Sequence, residues 1–435
     1  MDDVLIVGGG AAGMLAAWRA ASLGARTRLL EKNARLGVKI HISGGGKCNI
    51  THAGDMESVR QAFRREEARF LHPSFRRFTN QDILALLAER GVGVHTRSDG
   101  RVFPDSGRAD DVIEALLSRL RQSGVQVDRN VSVVEVMVRE GRAAGVRAAG
   151  QDGERILSAR AVVLAVGGSS YPKTGATGDG FRWARALGHT IVPLRAALAP
   201  IYLAHPTPEW SGVSLRDCLV RARCGGRDVG RWRGDLLFTH HGISGPAALG
   251  VSREAAAASE TGAVSLDVDV LPDLGHEEIA AVLVQEHARG GSRVLRTLLQ
   301  RWLPDRLVPA VAAAAGADPG APIHQVARKI RNRLCETLKR WDLGAVRTIP
   351  MERGEVTAGG VSLDEVDPQT MASRRVPGLY LCGEILDIAG PVGGYNLQAA
   401  FSTGWVAGEG AARDALAGCA APTAPPGIPG QIPEG

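Results

Sequence analysis

Residues 3 to 33, DVLIVGGGAAGMLAAWRAASLGARTRLLEKN, leave little choice about how this chain begins to fold. Val4 to Val7 is a short apolar run suited to a buried strand. Gly8, Gly10 and Gly13 follow at G-x-G-x-x-G spacing. Ala11 to Leu23 is rich in helix formers, and Gly24 stands where a helix C-cap belongs. Thr27 to Leu30 reads as a second strand, closed by Glu31. The three glycines have separate roles. Gly8 allows a tight turn, Gly10 leaves room for a pyrophosphate, and Gly13 lets helix and strand pack closely. The helix start, with Ala11 and Ala12, offers free N–H groups and a positive dipole end. Glu31 can accept hydrogen bonds from two ribose hydroxyls, with Lys32 beside it. Strand, glycines, helix, strand and acid in this order predict a dinucleotide-binding βαβ unit. A glycine-rich turn in some other α/β protein explains fewer of these parts.

A second glycine-rich segment follows at once, LGVKIHISGGGKCNITH, residues 36 to 52. Three successive glycines weaken any helix or strand. The segment therefore predicts a loop beside the same ligand, its backbone amides turned to a phosphate or to the polar edge of a flavin. Ser43, Asn49 and Thr51 can hydrogen-bond, and Lys39 or Lys47 can offset phosphate charge. Cys48 is either a proton-donating or redox thiol or a small space-filling side chain, and the second is the commoner use of such a residue.

Helical patterning returns at 79–92 and 109–125, and 125–138 alternates as strands do. By analogy with the strand in that place in many FAD enzymes, the backbone near Val133 is expected to meet an adenine edge. A buried strand at Val162 to Val166 ends in Gly167 and Gly168, a further close approach of backbone to ligand. Residues 194 to 270 read as short strands and turns. They include His240 and His241 before a Gly-Ile-Ser-Gly-Pro turn, where a structural histidine is the commoner reading and a proton donor the alternative. Residues 272 to 335 read as helical. The α/β style returns at 354–416. There a strand from Leu379 to Cys382 meets Gly383 and Glu384, and Gly393-Gly394-Tyr395-Asn396 feeds a helix starting near Leu397. Residues 418–435 are Pro/Gly-rich and are expected to be disordered.

At 435 residues the chain suits two or three domains. The six cysteines are scattered without a CxxC pair, so no metal site or disulfide framework is expected, and the chain reads as reduced and cytoplasmic. The first residues do not read as a signal peptide, and no apolar run approaches the ~20 residues that span a bilayer. A net charge of +6 is mild. A solvated basic surface accounts for it, and an anionic partner such as RNA is the sharper alternative. The densest stretch, residues 221 to 234, holds five arginines; Arg328, Lys329, Arg331, Arg333, Lys339 and Arg340 form a second group.

Taken in order, VGGGAAG, HISGGGKCNIT, YPKTGATGDG, FTHHGISGPA, VTAGGV and GLYLCGEILD with GGYNLQAAFSTG resemble the BaiN/RdsA-like family of bacterial FAD-dependent oxidoreductases, from residue 3 to about 416. The resemblance implies an α/β fold: a discontinuous Rossmann-like FAD-binding domain with an inserted small β-barrel and helical domain. The expected bounds are 1–193 and 350–417 for the FAD domain, 194–271 and 336–349 for the β-rich insert, and 272–335 for the helical insert. It implies that Glu31 holds the ribose, that Gly44, Gly45, Cys48 and Asn49 lie along FAD, that Glu384 meets the ribitol, and that Gly394, Tyr395, Asn396 and Leu397 approach the isoalloxazine. Some members carry a cysteine just before the Gly-Gly-Tyr-Asn; Pro391-Val392 stands here, so that cysteine chemistry does not transfer. The expected activity is reduction of an activated C=C bond, with NAD(P)H as reductant and uridine in ribosomal RNA as first substrate. The alternatives are a small-molecule ene-reductase, an amine oxidase and a non-catalytic flavin-bound RNA-binding protein. Cys48, Tyr395 and His241 are the proton-donor candidates. Membrane association is not expected, and the oligomeric state is left open.

Overall fold

A computed structural model describes residues 1–151 and 153–417. The tail expected to be disordered, 418–435, lies outside the described residues. A seven-stranded sheet forms the main layer. Its parallel part runs in the order Gln126–Arg129, Thr27–Glu31, Asp2–Val7, Gly153–Leu164 and Leu379–Leu381. The inner strands carry apolar runs, as parallel strands under helices must: Val4, Leu5, Ile6, Leu29 and Val162 are fully buried. Gly153–Leu164 is long because it serves both the parallel and the antiparallel part of this sheet. Its first half pairs antiparallel with Arg142–Gly150, which pairs in turn with Ser132–Arg139. Leu379–Leu381 comes from far along the chain, yet Leu379 lies opposite Val162 and Leu381 opposite Leu164.

The terminal helix Tyr395–Ala417 closes against the first helix, Ala11–Ser22, at backbone contact. A Cβ added to Gly404 would stand 2.2 Å from the Ala12 carbonyl oxygen, and one on Gly408 would stand 2.2 Å from that of Ala16. Only glycine permits such an approach. It fastens the late glycine turn at 393–394 to the early one at 8–10.

The chain leaves this domain through Ile191–Ala197 and returns through Val356–Val361, and these two crossings pair antiparallel with each other. Between them lies a closed barrel in the order Ile201–Leu203, Gly242–Ser244, Arg227–Thr239, Ser214–Cys224, Val264–Asp269 and Trp341–Thr348. Helices His276–Arg289, Leu295–Leu299, Val308–Ala314 and Arg328–Lys339 share its core, through Leu283, Leu298, Val311 and Leu334. The fold is therefore the expected one: a discontinuous Rossmann-like domain carrying a barrel and helices as an insert.

Two segments differ from the sequence reading, and one helix was not read from it at all. Gly245–Ala258, read as strand and turn, is a 14-residue helix. The Gly-Ile-Ser-Gly-Pro punctuation leads into it, with Pro246 in the first turn, where proline costs nothing. Its alanines bury Ala247, Ala248 and Ala255 against the barrel. Arg65–Arg77 is a helix whose charged residues and internal Pro73 masked an apolar face of Phe70, Leu71 and Phe75. Val38–Gly46 opens as a helix and breaks at Ser43, which is extended (φ −64°, ψ 148°). Gly44, Gly45 and Gly46 then follow in the left-handed region, φ 59°, 68° and 85°. No described helix is long and apolar enough to cross a membrane.

Candidate functional site

A long crevice of about 990 Å³ passes the C-terminal ends of the parallel strands, where Val7, Leu30, Ala165 and Cys382 line it. This is the place at which open α/β sheets take ligands. The three glycines of the first turn do three different things. Gly8 (φ +102°) turns so tightly that a Cβ would stand 2.5 Å from the Ala165 carbonyl oxygen. On Gly13 a Cβ would stand 1.8 Å from the Gly8 carbonyl oxygen, so its absence lets helix meet strand. At Gly10 a Cβ would find no protein atom within 4 Å: it would project into the crevice. Gly10 is also the N-cap of Ala11–Ser22 and carries no side-chain cap, which leaves the helix's first N–H groups free for a ligand.

Glu31 stands at the end of the second strand with its carboxylate fixed. One oxygen accepts from the Gly9 N–H at 2.7 Å, and the other from the Asn33 N–H and side chain, both at 2.8 Å. Lys32 is committed to the Thr177 hydroxyl (2.7 Å) and to Asp179 (3.3 Å). Midway along the crevice, the Lys39 ammonium donates to Glu384 at 2.6 Å and to the Ser170 hydroxyl at 2.9 Å. Glu384 also accepts from the Thr357 N–H at 2.9 Å. Four distant stretches of chain thus share one partly buried ion pair. Gly168 belongs to this knot rather than to the crevice wall, since a Cβ there would stand 2.3 Å from the Thr357 hydroxyl.

At the far end the early and late glycine loops touch. With its amide oriented to suit its neighbours, Asn49 accepts from the Gly394 N–H at 2.9 Å. The Thr51 hydroxyl donates to Gln398 at 2.7 Å, and the His52 ring bonds to the Gly393 carbonyl at 3.2 Å.

Gly8, Gly10, Ala11, Ala12, Glu31, Lys32, Lys39, Ser43, Gly44, Gly45, Asn49, Val133, Gly167, Gly383, Glu384, Gly393, Gly394, Asn396 and Leu397, all singled out from the sequence, line this one crevice. Gly13, Thr51 and Gly168 stand behind its wall. The three proton-donor candidates lie elsewhere. Cys48 is fully buried, and burial pushes its thiol up to about 12. Its left-handed backbone (φ 57°) turns the chain after the glycines, so it is a packing residue. Tyr395 starts the terminal helix, but its ring stacks on His52 (4.6 Å between centroids) and meets Phe63 edge-on. His241 sits exposed on a barrel hairpin turn against Tyr202.

Other lining residues were not read from the sequence. Asn33 and the stretch Thr174 to Asp179 flank Glu31; the TGATGDG loop was visible, but not its destination. Leu198, Pro246, Leu249 and Glu355 come from the insert and its crossings, and no local pattern points to them. The crevice fits a dinucleotide: an opening where a side chain is missing, an uncapped helix start, a fixed acid, and a run of left-handed glycines.

The chain matches the family described as "HI0933-like protein Rossmann domain" over residues 2–410. It is 32% identical over 410 residues to the ribosomal RNA dihydrouridine synthase of Haemophilus influenzae, covering 93% of this chain and 97% of that one. It is 31% identical over 417 residues to the 3-dehydro-bile acid delta(4,6)-reductase of Clostridium scindens, covering 95% and 100%. Among solved structures, the 3-ketosteroid delta1-dehydrogenase of Sterolibacterium denitrificans superposes with a TM-score of 0.51 at 15% identity, over 95% of this chain and 99% of that one, a likeness of fold.

Proposed function

The chain belongs to the HI0933-like protein family and is a flavin-dependent oxidoreductase, and from that premise we propose that it reduces an activated C=C bond, with uridine in ribosomal RNA as the substrate and dihydrouridine as the product. FAD is the cofactor this reading requires and NAD(P)H its reductant. The cytoplasm, where ribosomal RNA and reduced nicotinamide meet, is the compartment it requires. The observation that carries it is the crevice built by both ends of the chain, open at Gly10, in a protein that aligns end to end with a dihydrouridine synthase.

When bound, the flavin supplies hydride to a substrate carbon and is recharged by the nicotinamide. The protein's part is to hold and to polarise. The start of Ala11–Ser22 takes the pyrophosphate, Glu31 the ribose hydroxyls, and the Lys39–Glu384 pair the middle of the chain of the cofactor. The start of Tyr395–Ala417 brings a positive helix end to the pyrimidine side, where negative charge collects on reduction. Glu384→Ala takes the acceptor from Lys39 and the Thr357 N–H. At about 1.5–3 kcal/mol for a charged hydrogen bond, the Kd for FAD should rise about 10- to 100-fold, read by flavin fluorescence titration.

For RNA, the arginine stretch counts for less than its sequence suggests. Arg221 is half-buried between Asp267 (2.9 Å) and Asp269 (3.2 Å), Arg223 pairs with Asp228, and Arg233 pairs with Asp217 and Asp273. Among the described residues, Arg227, Arg231, Arg328, Lys329 and Arg333 form no ion pair, and these are the charges left for a phosphate backbone. Mapping dihydrouridine in ribosomal RNA from a strain lacking this gene should show one site lost; an unchanged map removes RNA as the substrate. A small conjugated ketone is the second reading. It is favoured by the apolar wall of Leu198, Pro246, Leu249 and Val392 and by the likeness to a bile-acid reductase.

A further inference from the structure

We infer that Glu355 is the acid that delivers the proton accompanying the hydride, an assignment that rests on the C=C reduction proposed above. Glu355 immediately precedes the returning crossing Val356–Val361 and lines the crevice between the Rossmann-like domain and the insert. Its backbone N–H is bound to the Leu198 carbonyl at 3.1 Å, which ties it to the outgoing crossing. Leu198 itself is held in the left-handed region, φ 51°, a strained setting for a leucine. Pro246 and Leu249, from the helix over the barrel, complete an apolar wall on the same side.

The other titratable groups of the crevice are mostly committed. Glu31 is tied to Gly9 and Asn33, Lys32 to Asp179, Lys39 to Glu384, and Arg101 to Asp99. Among the described residues, the Glu355 carboxyl has neither a hydrogen-bond nor an ion-pair partner, although Glu355 lines the cavity. Glu355 is exposed to the open crevice, yet the protein packed around its mouth still raises the carboxyl's pKa above the ordinary glutamate value. Lys39 is the charged group whose field opposes the rise, and Glu384 already neutralises Lys39. A cofactor filling the crevice removes more water and drives the group further toward its acid form.

The chemistry balances simply. The substrate's π bond breaks and two C–H bonds form. One takes a hydride, two electrons and a proton, from the reduced flavin, which NAD(P)H or dithionite has charged. The other takes the proton from the Glu355 carboxyl, leaving a carboxylate that water at the crevice mouth reprotonates. General acids of this kind contribute on the order of 10²–10⁴-fold in rate.

The test uses purified holoprotein, reduced anaerobically with dithionite and mixed with unmodified ribosomal RNA transcripts, with flavin reoxidation followed by absorbance. Glu355→Gln should hold as much flavin as wild type and be reduced as fast, but reoxidise at least about 100-fold more slowly. Glu355→Asp should recover part of that loss. Reoxidation of Glu355→Gln at the wild-type rate overturns the assignment, as does loss of flavin from the folded variant, which would make Glu355 a cofactor ligand. If RNA fails to reoxidise even the wild type, the substrate reading has failed instead, and the same variants are compared with a 3-keto-4-ene steroid. A second readout needs no substrate: the infrared difference between wild type and Glu355→Gln at neutral pH should contain a protonated carboxyl C=O band, and its absence sinks the acid.

Discussion

Gly10→Val should purify as a folded protein with no yellow colour. The backbone at Gly10 is extended, φ −81° and ψ −169°, a conformation valine adopts freely. Nothing in the protein lies within 4 Å of the position a Cβ would take. The polypeptide by itself therefore gives no reason for glycine there, and only a ligand passing that point does. Valine is a poor N-cap, so the helix loses about 1 kcal/mol, and the urea midpoint of the flavin-free protein should fall only slightly. Flavin absorbance should vanish, because a branched side chain stands where a pyrophosphate must cross to the helix N–H groups. Gly13→Ala is the contrasting control. Its methyl would lie 1.8 Å from the Gly8 carbonyl oxygen, so it should lose the fold along with the colour. A yellow Gly10→Val protein would mean that this crevice is not where the cofactor sits.

Gly404→Val should be the most destabilising single change in the terminal helix. The contact it breaks is helix backbone against helix backbone, with the new Cβ 2.2 Å from the Ala12 carbonyl oxygen and no flexible side chain to yield. Overpacking a rigid contact costs about 1–3 kcal/mol and at times more, and we expect about 3 here, since both helices are buried and neither can slide. The loss should appear as a lower urea midpoint at unchanged slope. Flavin should bind more weakly too, because Asn396 and Leu397 ride on the start of the same helix. A midpoint equal to wild type would show that the two helices are not packed this closely.

Local chemistry was legible in the sequence and long-range placement was not. The turn at Gly8–Gly13 and the acid Glu31 are set by neighbours in the chain, so their spacing alone located the strands, the helix and the crevice wall. The same holds for Glu384 and for Gly393–Leu397, where a buried strand ends or a helix starts. The proton-donor candidates show the opposite case. Cys48, Tyr395 and His241 carry suitable groups, but whether a group meets the crevice depends on packing from distant elements. For Tyr395 that is His52 and Phe63, and for Cys48 it is the left-handed turn that buries it. Glu355 is brought to the cavity by the pairing of two crossings more than 150 residues apart in the sequence, and nothing around it announces this. The pairing of Arg221 was hidden in the same way, because Asp267 and Asp269 arrive on a neighbouring barrel strand.

The central sheet is completed by Leu379–Leu381, made late in translation, lying against Gly153–Leu164, made early. A nascent chain still short of that strand has no finished groove, however well its first βαβ unit has folded. A coenzyme bound along this groove would therefore fasten the last-made strand and helix of the polypeptide to its first βαβ unit.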